Sequence, residues 1–402
     1  MNPASDAALV AVQPQWTRVQ PAARCVPLTG RWLLHAGPPY EPGQGPPAPV
    51  LASARLACRH EGWATTDAQA HSLIERGEIR LESAQQWRCV TPLAALISPS
   101  TTVAVVEDAA GAVPAMFAPL GTTGGPDLRF GNADPSILER LRRREEVESW
   151  ILARALRQPI DLIALARQGL AGGDDLHNQT SGATRALRDT LALRIGAAAT
   201  GAEQAFLAAL DSTPLYFLTL WMAAARLMLS AAEGRAPGTR VTSMAGNGWT
   251  FGVQVAAAPG RWFTTEARAP EGPRLAQASA AAPALGAIGD SAVIDALGFG
   301  GQALALADGV RNALQPWLSD EPSAVATTLL GTPHPAFLDI GLRVGMDAQR
   351  IVERNLPPLV TLGMVAADGI DGLLGRGVYR PPVEVFGRAI ASVSGELTSP
   401  ST

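Results

Sequence analysis

Two carboxylates, an imidazole and an amide crowd into five consecutive positions, Asp174-Asp175-Leu176-His177-Asn178, directly after Gly172-Gly173. Asp174 and His177 stand three apart, a spacing that on a helical turn places both on one face and lets them bond each other. A carboxylate that orients an imidazole makes a general acid or base. Asp174 and His177 are therefore the candidate catalytic residues, and Asn178 a candidate substrate contact. The competing reading is an Asp that caps a helix beside an incidental histidine.

Three further segments could hold a ligand. Asn247-Gly248 precedes the apolar run 249–255, where small residues would let backbone amides approach a substrate and Asn247 could donate and accept. Asn-Gly is equally the leading signal for a hairpin turn. Asp290-Ser291, followed by Gly298, Gly300 and Gly301, suggests a helix capped by Asp290, with N–H groups free to hold a phosphate or carboxylate. The spacing is not a GxGxxG motif after a strand. The loop Gly121-Thr122-Thr123-Gly124-Gly125, with Arg129 just beyond, could form an anion nest or be a plain loop. Asn247, Gly248, Asp290, Ser291, Gly300 and Arg129 join Asn178 as candidate substrate-binding residues.

Composition excludes much else. All 32 basic residues are arginine; the absence of lysine removes Schiff-base chemistry, a pyridoxal phosphate site and a P-loop. Anions would have to be held by Arg, by backbone N–H groups or by helix N-termini. His35, His60, His71 and His334 stand alone, and Cys25, Cys58 and Cys89 lack CxxC spacing, so no metal site or cofactor is expected. A formal net charge of -4 gives no case for nucleic acid or an anionic membrane surface. Residues Met1 to Val12 lack a basic region followed by an apolar core, and Leu215 to Ser230, with Arg226 inside it, is short for a membrane span and reads as a buried helix. With an odd number of cysteines, this points to a cytoplasmic location.

The elements that must position these residues fall into three portions. Residues 1–133 mix helix and strand: helical periodicity over Leu51–Glu75, a β-branched strand over Thr101–Glu107, and Val113–Phe117 placed to pair with it. From Asp134-Pro135, an N-cap followed by Pro at the first helical position, residues 134–235 read as an all-helical domain. Its charged run Arg142–Glu146 reads as a solvated face. Residues 236–402 return to strands (240–244, 250–256, 261–264, 359–364) alternating with helices. The fold class is α+β, with mixed α/β portions at both ends of a central helical domain.

In order along the chain, LLHAGPPY (33–40), HEGWATTDAQA (60–70), VAVVED (103–108), LRFG (128–131), IDLIALARQGLAGGDDLHN (160–178), NGWTFGVQV (247–255), RWFTTEA (261–267), IGDSAVI (288–294) and GRGVYRPPVEVF (375–386) resemble the AllG/YlbE-like family, that of one subunit of oxamate carbamoyltransferase. The resemblance runs from about residue 16 to 392 and implies an α+β scaffold. It also implies a cytoplasmic role in purine (allantoin) breakdown, in an assembly that phosphorolyses oxalurate to oxamate and carbamoyl phosphate. The implied partners are FdrA/AllF-like and AllH-like carbamoyltransferase subunits, or a paralogue of the chain, with a small ureido acid and phosphate or carbamoyl phosphate as ligands. Several polar positions of the family pattern are altered. Gln179-Thr180 follow His177-Asn178 where an Arg and an Asn are usual, and Gly246 stands for an Arg. Gln85 to Arg88 replace a Cys-His-His-like segment, and Thr122-Thr123-Gly124 an Asn-Glu-Gly loop. Ala366, Ala367 and Asp368 replace a His-Lys-Glu run, and Asp295 a Glu. These changes suit a paralogue with a degenerate site, a non-catalytic structural or regulatory subunit, or an enzyme for another ureido compound.

Overall fold

The computed structural model describes residues 3–236, 238–318 and 321–397; the outermost residues of the first and last portions, 1–2 and 398–402, lie outside it. Two four-stranded sheets organise the molecule. The first has the order Met116–Pro119, Thr102–Asp108, Pro14–Pro21, Ile160–Asp161, all antiparallel. Its second strand is apolar over Val103–Val106 because both faces are covered there: Ala104 and Val106 enter the main core, while Val103 and Val105 enter a smaller core with Val26, Leu34 and Ile97. The expected partner strand forms with Val106 opposite Met116, so pairing starts three residues after Val113.

The second sheet has the order Ile288–Gly289, Val241–Asn247, Thr250–Val255, Phe263–Glu266, again antiparallel. Between the sheets runs the helix Phe217–Ser230, whose neighbours are strands of both sheets and the short helix Val293–Leu297. All but the last of its residues are buried, including Trp221 and Met222, each worth on the order of 2 kcal/mol in apolar area removed from water. It is thus the buried helix that the sequence suggests. Among the described residues no helix is long and apolar enough to cross a membrane.

The regular elements within 134–235 are helices apart from Ile160–Asp161, which pairs with Pro14–Pro21, and loops join them. Residues of all three sequence portions enter one main core. Two details differ from the periodicity. The helix expected over Leu51–Glu75 is two helices, Ala48–His60 and Asp67–Glu75, parted by Gly62 at φ +71° and restarted by Thr66, whose hydroxyl accepts from Gln69 N. The helical run from Ser136 to Ala155 contains a π turn at Arg144–Glu148. Within the charged run, Arg144 falls on the buried face of Ile137 and Leu141 and bonds Asp127 at 3.0 Å rather than facing water.

The last third supplies a hairpin, Val360–Val365 with Leu373–Tyr379, and the closing helix Val383–Leu397. The hairpin brings Arg376 and Thr361 toward the loop that carries His177.

Candidate functional site

His177 lies in the loop between the helices Leu162–Ala171 and Ser181–Ile195. The loop is held by its own carboxylates. Asp175 accepts from His177 N (3.1 Å), Gln179 N (2.8 Å) and Asn178 Nδ2 (3.1 Å). Asp174 accepts from Gly182 N, Ala183 N and the Ser181 hydroxyl, which satisfies donors at the start of the next helix. The Asp174–His177 bond suggested by their spacing is not formed, because the loop is not helical and Leu176, at φ +66°, turns the chain between them.

The imidazole instead meets a carboxylate from 118 residues away. His177 Nδ1 is 2.7 Å from Asp295 Oδ2. Asp295 Oδ1 accepts from Gly301 N (2.8 Å), Thr361 N (3.1 Å) and the Thr361 hydroxyl (3.3 Å). Burial pushes the Asp295 carboxyl up from its usual range, opposed by His177 and by these donors. With Oδ1 taken by three donors, Oδ2 is the acceptor for the His177 Nδ1 proton. The ring's Nε2 then remains for proton exchange.

His177 lines a cavity of about 470 Å³. Two guanidiniums line it as well. Arg129, on the turn Leu128–Phe130, is buried with its Nε unpartnered and Asp127 3.9 Å away. Arg376, on the strand Leu373–Tyr379, donates to the Asn178 carbonyl. Burial holds Arg376 below its ordinary pKa, and the nearby positive charge of Arg129 adds to the effect; a guanidinium stays charged regardless. Two cations drawn together in a partly desolvated cavity favour a ligand carrying negative charge. Thr122, Thr213 and Ser291 add hydroxyls, and Leu93, Phe130, Pro214, Leu215 and Leu218 add apolar walls.

Of the candidates from sequence, Arg129, His177, Asn178 and Ser291 line this cavity, as do Thr122, Gly124 and Gly125 of the proposed anion nest. The others lie elsewhere. Asn247 is buried in the hairpin turn, accepting from Trp249 N and Thr250 N and donating to the Pro38 carbonyl, with Gly248 beside it against Leu285 and Pro47. Asp290 is no helix cap: the helix Val293–Leu297 begins after Ala292 without a side-chain cap. Its carboxylate instead ties three segments together, accepting from Gly37 N (3.0 Å), Thr91 N (2.8 Å) and Gln85 Nε2 (2.8 Å). Gly300 backs the dyad from behind. Its N–H donates to the Asp175 carbonyl, and a Cβ there would lie 2.5 Å from Asp295 Oδ1 and 2.9 Å from His177 Cβ.

Arg376 and Asp295 escape a residue-by-residue reading. Both sit inside the stretches 375–386 and 288–301, but no local spacing connects either with His177. Among the described residues no group of three or more His, Cys, Asp or Glu could hold a metal ion.

The two sheets, the buried helix between them and a cavity lined by His177, which is paired with Asp295, and by two arginines define an α+β protein. The pattern of the family described as "Oxamate carbamoyltransferase subunit AllG" matches residues 79–291. The chain is 30% identical to the oxamate carbamoyltransferase subunit AllG of Escherichia coli (strain K12), across 96% of this chain and 95% of that one. The chain belongs to the AllG family. It is also 30% identical to the uncharacterized protein YahG of the same organism, over 90% of this chain and 79% of that one. A crystal structure of a conserved protein of unknown function from Enterococcus faecalis V583 superposes with a TM-score of 0.89, at 25% identity, over 98% of this chain and 97% of that one.

Proposed function

We propose that the chain is a subunit of a multi-subunit carbamoyltransferase of the oxamate type, and that the His177 cavity holds the reacting anions. The observation that carries this reading is the meeting of His177–Asp295 with Arg129 and Arg376 at one cavity, in a member of this family. The reaction is phosphorolysis of oxalurate to oxamate and carbamoyl phosphate. A phosphate oxygen attacks the carbamoyl carbon, a C–O bond forms, the C–N bond breaks, and the departing oxamate nitrogen takes up a proton.

Both substrates are small anions, and lysine is absent from the chain, so Arg129 and Arg376 are the cavity's cations for carboxylate and phosphate. His177 Nε2 takes the proton released by the attacking hydrogen phosphate and passes it to the departing nitrogen, a role worth roughly 10²–10⁴-fold in rate. Asp295 fixes the tautomer and stabilises the imidazolium. The Ser291 hydroxyl is available to the oxyanion on the carbamoyl carbon, whereas those of Thr122 and Thr213 donate to Asp127 and the Ala209 carbonyl. Partner subunits of the FdrA/AllF and AllH types complete the assembly, in the cytoplasm, within purine catabolism.

A second reading, a non-catalytic subunit shaping the site of an active paralogue, rests on Thr122, which lines the cavity where the resemblance implies an Asn. Co-expression with neighbouring gene products separates the two. Loss of carbamoyl phosphate formation in His177→Ala, with assembly intact by size-exclusion chromatography, supports direct catalysis. Full activity of the assembled His177→Ala complex supports the second reading. Activity of the isolated chain would point to another ureido compound.

A further inference from the structure

A second cleft, of about 310 Å³, lies away from His177 and is lined by Gln86, Arg88, Arg226, Ser230, Glu233 and Gln254. Its deepest cation is anomalous on sequence grounds alone: Arg226 interrupts the most apolar helix of the molecule and its side chain is only 8% exposed. Burying a guanidinium is costly unless its donors are met. Two of them are met. Nε donates to Gln85 Oε1 at 3.1 Å and Nη2 to Glu233 Oε1 at 2.6 Å. Nη1 has no partner. Gln254, 2% exposed on the neighbouring strand, leaves its Oε1 equally unpartnered. At the mouth, exposed Arg88 holds a left-handed backbone at φ +55°. The charges are two arginines against one glutamate, a net positive cleft.

We propose that this cleft is a second ligand site, for a small oxyanion that also carries a donor hydrogen, as hydrogen phosphate or an amide-bearing carboxylate does. The anion takes the free Nη1 of Arg226 and, at the rim, Arg88. The ligand's own N–H or O–H is accepted by Gln254. This meets the two unsatisfied buried atoms with one molecule, which neither an apolar ligand nor a bare cation could do. Gln86 and Ser230 lie within the same lining. The site does not depend on the chemistry assigned to the His177 cavity: the residues lining the two do not overlap.

The test is isothermal titration of the full chain with inorganic phosphate. In an Arg129→Ala/Arg376→Ala background, which disarms the first cavity, one phosphate per chain still binds. Arg226→Gln, which keeps a polar side chain able to reach Gln85, weakens that binding at least tenfold, and Arg88→Ala, at an exposed position that should not disturb folding, weakens it severalfold. Circular dichroism checks the fold of each variant. Absence of binding in this background, or binding indifferent to both Arg226→Gln and Arg88→Ala, overturns the proposal. If the wild type binds a single phosphate that Arg88→Ala abolishes and Arg129→Ala spares, the second site stands and the anion role of the first cavity fails. In the opposite pattern the first cavity stands and the second site fails.

Discussion

Asp290 offers a measurable test of how this interior handles charge. Its carboxylate is fully enclosed, and burial raises its pKa from the ordinary 3.8 to about 6, against the pull of Gln85, Gly37 N, Thr91 N and Arg226. A carboxylate whose folded pKa lies above its unfolded value binds more protons when folded, so stability is greatest below pH 4 and declines as the pH rises through about 6. The full difference is roughly 3 kcal/mol, of which about 2 kcal/mol is lost between pH 4 and pH 7. Asp290→Asn removes the titration. It still offers an oxygen to Gly37 N and Gln85 Nε2, but turns an amide NH₂ toward Thr91 N, at a pH-independent cost of about 1–3 kcal/mol. Urea unfolding at pH 4, 5.5 and 7 should therefore show the wild type ahead by that cost at pH 4, with the gap narrowing by about 2 kcal/mol by pH 7. A gap constant across the range would mean that the three donors cancel the burial, and the reasoning would fail.

Three further outcomes follow from the geometry. Asp174→Ala frees Gly182 N, Ala183 N and the Ser181 hydroxyl, so the unfolding free energy should drop by about 1–3 kcal/mol while phosphate affinity of the His177 cavity is unchanged; a catalytic Asp174 would instead abolish turnover at constant stability. Gly300→Ala places a Cβ 2.5 Å from Asp295 Oδ1 at φ +57°, so NMR titration of His177 should show a changed imidazole environment and carbamoyl transfer should fall sharply; an unaltered resonance would show that the dyad does not need this close approach. Arg240 is wholly buried between Asp6 (2.7 Å) and Asp347 (3.0 Å), and Arg240→Met, which strands two carboxylates, should cost about 3–5 kcal/mol in chemical denaturation; a loss below 1 kcal/mol would show that water reaches the pair.

The legible part of the fold was whatever local chemistry dictates. The strand Thr102–Asp108 follows from β-branched residues covered on both faces, and the helix Phe217–Ser230 from a long apolar run interrupted by Arg226. The Asn247-Gly248 turn follows from the φ of +93° that Gly248 supplies. What could not be read locally depended on tertiary partners. Arg144 stands in a run of charges, yet it lies on the buried face of Ile137 and Leu141 and bonds Asp127 instead of facing solvent. Asp290 has the look of a helix cap, but its acceptor capacity is taken by the loops at Gly37, Gln85 and Thr91, which no spacing near residue 290 announces.

The site divides along the same line. Spacing marked His177 as a proton carrier and supplied a carboxylate beside it, but the neighbour it supplied serves the backbone. An Asp seven residues before a helix start has nearby N–H groups to satisfy, and those bonds close only a short loop, whereas the partner that can align an imidazole must come from a rigid element outside the loop. Asp295 meets that need: its helix, the Gly300–Leu306 turn and the strand Val360–Val365 all fix its carboxylate. The family pattern has the longer Glu here, and the shorter Asp still reaches His177 because Gly300, lacking a Cβ, lets the following turn close against the pair. The substitution that reads as erosion in a linear comparison therefore retains an ionisable partner at 2.7 Å. The change at Thr122 bears on the cavity wall, and so on which anion is admitted, more than on whether a proton can be moved.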